Sequence, residues 1–310
     1  MKFWRKKTLL AKIEADYGVD PTPTGAANAI LAANVSLRPL EGGEVNRETI
    51  QPYMGARGDI LVDTHVGLDF EVEIAGGGAV DTPPGYGPLL RACGLAETIT
   101  PTTGPVEYDP VSESFESVTI YVNYDGILHA LLGARGTVGV TLGPSALPRY
   151  RFRMMGLFVA ATDDALPAPD TSAYQTPLVA SDANTPVFTL AGISAVLQEL
   201  TLELGNTVEG RFLIGAESII VSGREATGQA KIEMETLATK DFFALARART
   251  KVAFSCQHGT VAGNIVVLDG PTCEVGRPSY EDSQGVVMLN VPLKLIPSAA
   301  GDDEFKITTK

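Results

Sequence analysis

The sequence predicts a mainly β protein with a few short helices, arranged as two tandem domains. Three observations carry this expectation. First, the order of elements repeats. Phe70-Glu71-Val72-Glu73 is followed by a short helical patch at residues 88–94, and Ile232-Glu233-Met234-Glu235 by another at residues 241–247. Second, apolar and polar residues alternate in the strongest segments, the period of two of a half-buried strand. Third, 32 glycines and 20 prolines supply the many turns that a β-rich chain needs. At 310 residues the chain has room for two domains of about 150 residues each.

Read in order, residues 2–17 suggest a short basic helix ending at Gly18, and Asp20-Pro21-Thr22-Pro23-Thr24-Gly25 a rigid extended connector. Residues 34–40 read as a strand. The polar stretch 41–58 reads as a long protruding loop or hairpin tip, bent at Gly42-Gly43 and Gly55. Within residues 59–74, Leu68, Phe70, Val72 and Ile74 alternate with Asp69, Glu71 and Glu73. A Gly/Pro-rich loop leads to a helix around residues 89–93, then to β-branched runs at 118–124 and 137–142 joined through an Asp125-Gly126 corner. Asp269-Gly270 reads as the matching corner of the second half. Residues 150–159 and 287–296 close the two halves as alternating strands.

Residues 161–185, with Pro167, Pro169 and Pro177, mark the boundary between halves. The expected divisions are an N-terminal arm at 1–33, a first domain at 34–160, a linker at 161–186, a second domain at 187–298 and a tail at 299–310. In the second domain Leu200, Leu202 and Leu204 take one face of a strand, opposite Glu199, Thr201 and Glu203. Residues 205–210 read as a turn or loop tip. The helix at 240–249 has Thr239 as its expected N-cap and a core stripe of Phe242, Leu245 and Ala246. The offset between matching elements drifts, from 162 at the Glu-rich strand to 137 at the final strand. Insertions in loops account for such drift.

The net charge of -13 is unevenly placed. Lys2, Arg5, Lys6, Lys7 and Lys12 give the first twelve residues +5, leaving -18 on the rest. A body so acidic lacks the cations that release counterions from nucleic acid, which argues against tight phosphate binding. The apolar stretch at residues 8–11 is too short for a signal peptide, and no run approaches the length of a membrane span. Cys93, Cys256 and Cys273 form no CxxC pair and read as buried free thiols of a reducing compartment.

Catalytic and metal signatures are missing. His65, His129 and His258 stand apart from other ligand types, and Gly76-Gly77-Gly78 lacks the Lys-Ser/Thr of a phosphate loop. We therefore expect no enzyme activity, cofactor or metal. The pairs Glu71/Glu73 and Glu233/Glu235 each project to one side of a strand. A glycosidase acid and base normally approach substrate from opposite sides, so a duplicated acidic pair suits a repeated surface better.

One segment goes beyond composition. Tyr124-Asp125-Gly126-Ile127-Leu128-His129-Ala130-Leu131-Leu132-Gly133-Ala134-Arg135-Gly136-Thr137-Val138, with the strand at 148–159 and the opening at 20–30, resembles major tail tube proteins of long-tailed (siphovirus-like) bacteriophages. The resemblance implies two tail-tube-type β-sandwich or partial-barrel domains, each with one packed helix. It implies a structural virion protein, located in the tail and made in the host bacterial cytoplasm. Trimers of two-domain chains would mimic hexameric rings and stack into a hollow tube. The expected partners are other copies of the chain, the tape measure, tail terminator and distal tail proteins, and phage double-stranded DNA passing through without specific binding. Asp69, Glu71, Glu73, Glu233 and Glu235 are then candidates for an acidic lumen. Lys2, Arg5, Lys6, Lys7, Glu44, Arg47, Glu48, Glu209 and Arg211 are candidates for ring contacts. The alternative is a two-domain binding module of the virion, at the tail tip or as a decoration protein.

Overall fold

Backbone pairing, more than local propensity, organises this chain. The computed structural model describes residues 1–102 and 104–310. In chain order the strands are β1 (Lys7–Ile13), β2 (Ala32–Asn46), β3 (Asp59–Glu73), β4 (Leu95–Ile99), β5 (Val106–Pro110), β6 (Val118–Tyr124), β7 (Ile127–Leu142), β8 (Arg149–Phe158), β9 (Thr162–Asp163) and β10 (Val187–Leu190). They continue as β11 (Ile193–Ser194), β12 (Leu197–Glu203), β13 (Asn206–Leu213), β14 (Ala216–Arg224), β15 (Thr227–Glu233), β16 (Lys251–His258), β17 (Val266–Val275), β18 (Ser279–Ser283), β19 (Val286–Leu295) and β20 (Lys306–Thr309). The helices are α1 (Gly25–Asn28), α2 (Gly87–Ala92) and α3 (Phe242–Ala248). The protein is thus mainly β with few short helices, as its alternation and turn content predict.

The same ladder occurs twice. In the first half β1 pairs with β6, β6 with β7, β7 with β8, β8 with β3, and β3 with β2. In the second half β10 pairs with β16, β16 with β17, β17 and β18 with β19, β19 with β15, and β15 with β12. Equivalent bonds fix the alignment at both ends. Glu14 N–H donates to Ser117 O, and Ala191 N–H donates to Ala253 O. Ile74 N–H donates to Pro148 O, and Met234 N–H donates to Val287 O.

The halves also pair with each other. The end of β7 lies between β8 and β12, so one sheet runs β2-β3-β8-β7-β12-β15-β19-β18. This sheet does not close on itself. Its outer strands, β2 and β18, each have one neighbour among the described residues. Elsewhere β20 is inserted between β17 and β5 and joins the two halves. The stretch expected as a tail therefore carries a strand, with Phe305 and Ile307 buried.

One core underlies the sheet. Phe70, Val72, Tyr150 and Phe152 pack beside Leu89 and Leu90 of α2 in the first half. Ala230, Ile232, Leu289 and Val291 pack beside Phe242 of α3 in the second. All three cysteines are buried and unpaired. Burial pushes the Cys256 and Cys273 thiols up to about 12 and Cys93 higher still.

Four local expectations need correction. The basic N-terminal segment is strand β1, with consecutive Leu9, Leu10 and Ala11 all buried. β6 supplies its hydrogen-bonding partner from 105–117 residues away, and a strand covered on both faces shows no alternation. Residues 205–210 are not the tip itself but begin the β13–β14 hairpin, whose tip is Ile214-Gly215. Gly205, at φ +69°, is where that hairpin leaves β12, and a Cβ there would strike the Glu225 carbonyl. Asp269-Gly270 lies within β17, where the glycine admits the Phe254 ring. Asp125-Gly126, by contrast, is a two-residue hairpin turn with both residues at positive φ. Finally, α3 is capped by Asp241, whose carboxylate accepts from Ala244 N–H at 2.9 Å, and not by Thr239.

Candidate lumen wall and assembly surfaces

The face of the eight-stranded sheet opposite the helices follows from alternation. Asp69, Glu71 and Glu73 on β3 lie directly across from Arg153, Arg151 and Arg149 on β8. Arg149 reaches Glu71 at 2.8 Å and Glu73 at 3.7 Å. Asn34 donates to Glu71 at 2.7 Å. Arg38 pairs with Asp69, which raises the guanidinium's pKa chiefly through their hydrogen bond. Arg151 pairs with Glu203 of β12, across the junction between halves.

The face expected to be acidic thus carries cations as well. Along the eight strands the face presents eight carboxylates (Glu41, Asp69, Glu71, Glu73, Glu199, Glu203, Glu233, Glu281) and six cations (Arg38, Arg149, Arg151, Arg153, Lys231, Lys294). The surface is close to charge-balanced, and the protein's excess acid lies elsewhere. The arginines escaped the sequence reading because cross-strand partners about 80 residues apart share no local pattern. Alternation within Arg149-Tyr150-Arg151-Phe152-Arg153 was the signal that could have found them.

The second-half pair also shifts. Structural register matches Glu73 with Glu233, an offset of 160, so Glu71 corresponds to Lys231. Lys231 bridges to Glu281 at 2.7 Å. Glu233 ends β15 in an exposed position, while Glu235 lies past the strand and is partly buried. The two do not form a strand pair, because β15 stops at the turn toward α3.

The candidate contact residues fall on two hairpins and the N-terminus. Glu44 lies on β2, while Arg47 and Glu48 begin the exposed tip between β2 and β3. That tip also exposes Ile50, Tyr53 and Met54. Glu209 and Arg211 are exposed on β13, whose hairpin ends in the fully exposed Ile214. His65 of β3 stacks on Phe212 of β13 at 6.0 Å, so the two hairpins lie side by side. Lys2 and Arg5 are exposed. Lys6 approaches Asp125 at 3.9 Å, and Lys7 lies over the Trp4 ring at 4.2 Å.

Two polar anchors hold these parts in place. Glu14 is buried and accepts from Ser117 Oγ, Thr119 Oγ1, Gly133 N–H and Gly18 N–H at 2.6–2.7 Å. Beside it, Tyr17 Oη accepts from Ile219 N–H at 2.6 Å, and Arg135 donates to Ile219 O at 2.8 Å. The β13–β14 hairpin is thereby tied to the first half. Burial raises the Tyr17 pKa and lowers that of Arg135.

Among the described residues no helix is long and apolar enough to cross a membrane. No group of three or more His, Cys, Asp and Glu side chains among them is placed to hold a metal ion. No curated protein matches the chain. The family model described as phage tail tube protein matches residues 4–293, nearly the whole length. With that span covering both ladders and both hairpins, the chain belongs to the phage tail tube protein family.

Proposed function

We propose that three copies of this chain close into one ring of the tail tube, and that stacked rings conduct phage DNA from capsid to host. The observation that carries this reading is the single sheet β2-β3-β8-β7-β12-β15-β19-β18. It contains two four-stranded segments of equivalent order, and both its ends have an open edge. A repeated unit with complementary open edges is built to propagate, and closure removes the edges. Twenty-four strands from three copies, spaced ~4.8 Å apart, give a barrel at least ~37 Å across between backbones, and strand tilt widens it.

In this reading each chain supplies two domains, 34–160 and 187–298, joined by 161–186 and flanked by the arm and the closing strand. The charged face described above lines the lumen. Arg149 and Arg151 are occupied by Glu71, Glu73 and Glu203, and Arg38 by Glu41 and Asp69, so passing phosphates find few uncommitted cations. The β2–β3 and β13–β14 hairpins and the basic N-terminus make the contacts between rings, to the next ring or to the tape measure, terminator and distal tail proteins. The protein acts as structure and not as an enzyme.

Electron microscopy of the concentrated protein tests the assembly. Annuli or tubes are expected, and a monodisperse monomer across protein and salt concentration would refute it. The lumen assignment has its own test in particles carrying Glu71→Gln, Glu73→Gln and Glu203→Gln together. Released arginines should slow DNA ejection several-fold at low salt, with recovery at high salt. Unchanged ejection kinetics would remove this face from the channel.

A further inference from the structure

We infer that β18 of one copy pairs antiparallel with β2 of the next, in the register that the β7–β12 junction already displays within the chain. This inference rests on the tube reading above and assigns the surface through which the copies meet. Within the chain, Leu142, Thr141, Val140 and Gly139 face Leu200, Thr201, Leu202 and Glu203. The ladders transfer these positions. Thr141 faces Arg149, which faces Glu73; Glu281 faces Met288, which faces Glu233. Thr201 faces Gln229, and Ser36 faces Asp69 at the same level of the first half. Between copies, Glu281 therefore meets Ser36, Tyr280 meets Leu37, and Ser279 meets Arg38.

Exposure follows the same division. At the covered junction Leu200 is 0%, Leu202 2% and Val140 1% exposed. Their counterparts lie open: Tyr280 is 63% exposed, and Val35 and Leu37 are only half-buried. The helices agree. Leu89 and Leu90 of α2 are fully buried, whereas Phe243 and Leu245 of α3 are half-buried, with Tyr280 against the Phe243 ring at 5.4 Å. An arriving Leu37 would cover that aromatic pair. Tyr280 would enter the hollow beside Leu37, lined by Trp4, Tyr124 and Ile127.

The prolines set where the pairing ends. Leu204 N–H donates to Val138 O at 2.9 Å in the covered junction. Their counterparts are Pro39 and Pro278, neither of which can donate, so that row carries no backbone bond and the ladder between copies ends at the Ser279–Arg38 row. Beyond them, Glu41 of one copy comes level with Gly276 and beside the exposed Arg277 of the other.

Cysteine pairing tests the register. The Leu204–Val138 bond places the Thr201–Thr141 row in the close, non-hydrogen-bonded position, about 4.5 Å between Cα atoms and within disulfide range. A chain carrying Ser36→Cys and Glu281→Cys should link most copies into dimers and trimers under mild oxidation, with annuli retained. The native thiols are buried and stay silent. Ser36→Cys with Ser283→Cys, about 7–8 Å apart on the diagonal, should link far less. Annuli that form without the matched cross-link, or with equal linking by both pairs, would overturn this register and leave the tube reading standing. Failure of the unsubstituted protein to assemble at all would overturn both.

Discussion

On the first half of the charged face, Glu71 and Glu73 look across at Arg151 and Arg149; on the second half the same positions are Lys231 and Glu233, across from Asn290 and Met288. The backbone ladder beneath them is equivalent residue for residue. The buried ends differ too. Glu14 and Ser117 in the first half stand where the second half has Ala191 and Ala253, joined by the same backbone bond. The comparison teaches that the repeated quantity is the hydrogen-bonding frame and the row of apolar residues under it. The charges above the frame are chosen half by half. A duplicated scaffold that does not duplicate its side-chain chemistry suits assembly, where edges must match and surfaces need only stay soluble.

The largest expected effect separates covered from open edges. Leu202→Asp puts a charge into the sealed β7–β12 junction and should cost about 4 kcal/mol or more, read as a fall in the denaturant midpoint or as failure to fold. Leu37→Asp, at the equivalent position of β2, should change the midpoint by about 1 kcal/mol or less and abolish assembly. Equal destabilisation by both would erase the distinction. Next in size, Glu14→Ala strands two hydroxyls and two backbone donors and should cost about 3 kcal/mol, with no counterpart loss from Ala191→Gly beyond about 1 kcal/mol. A smaller difference should divide the helices. Asp241→Ala removes the side-chain cap of α3 and should cost about 1 kcal/mol in equilibrium unfolding. No side chain caps α2, which is held by its buried leucines. A loss of several kcal/mol at Asp241 would mean a role beyond capping.

The sequence carried the strands whose faces differ. Leu68 to Ile74 and Leu200 to Leu204 alternate because one side meets the core, and both were readable. β1 was not, because Leu9, Leu10 and Ala11 are covered on both faces and their partner strand is remote. The β13–β14 hairpin hid behind Gly205, which resembles a turn and is a departure point. The lumen candidates were half legible. The carboxylates on β3 were visible from local spacing, and the arginines that neutralise them were not, since their pairing exists only in the folded ladder. Glu235 failed for the opposite reason: its spacing from Glu233 was right, but the strand had already ended.

The central claim is that one chain occupies two adjacent positions of a ring. End-on class averages of assembled particles test it most directly. The account predicts annuli of three-fold symmetry with six similar lobes, alternate lobes differing in detail as the two halves do. Rings with six chains, or with any number of chains other than three, would contradict it.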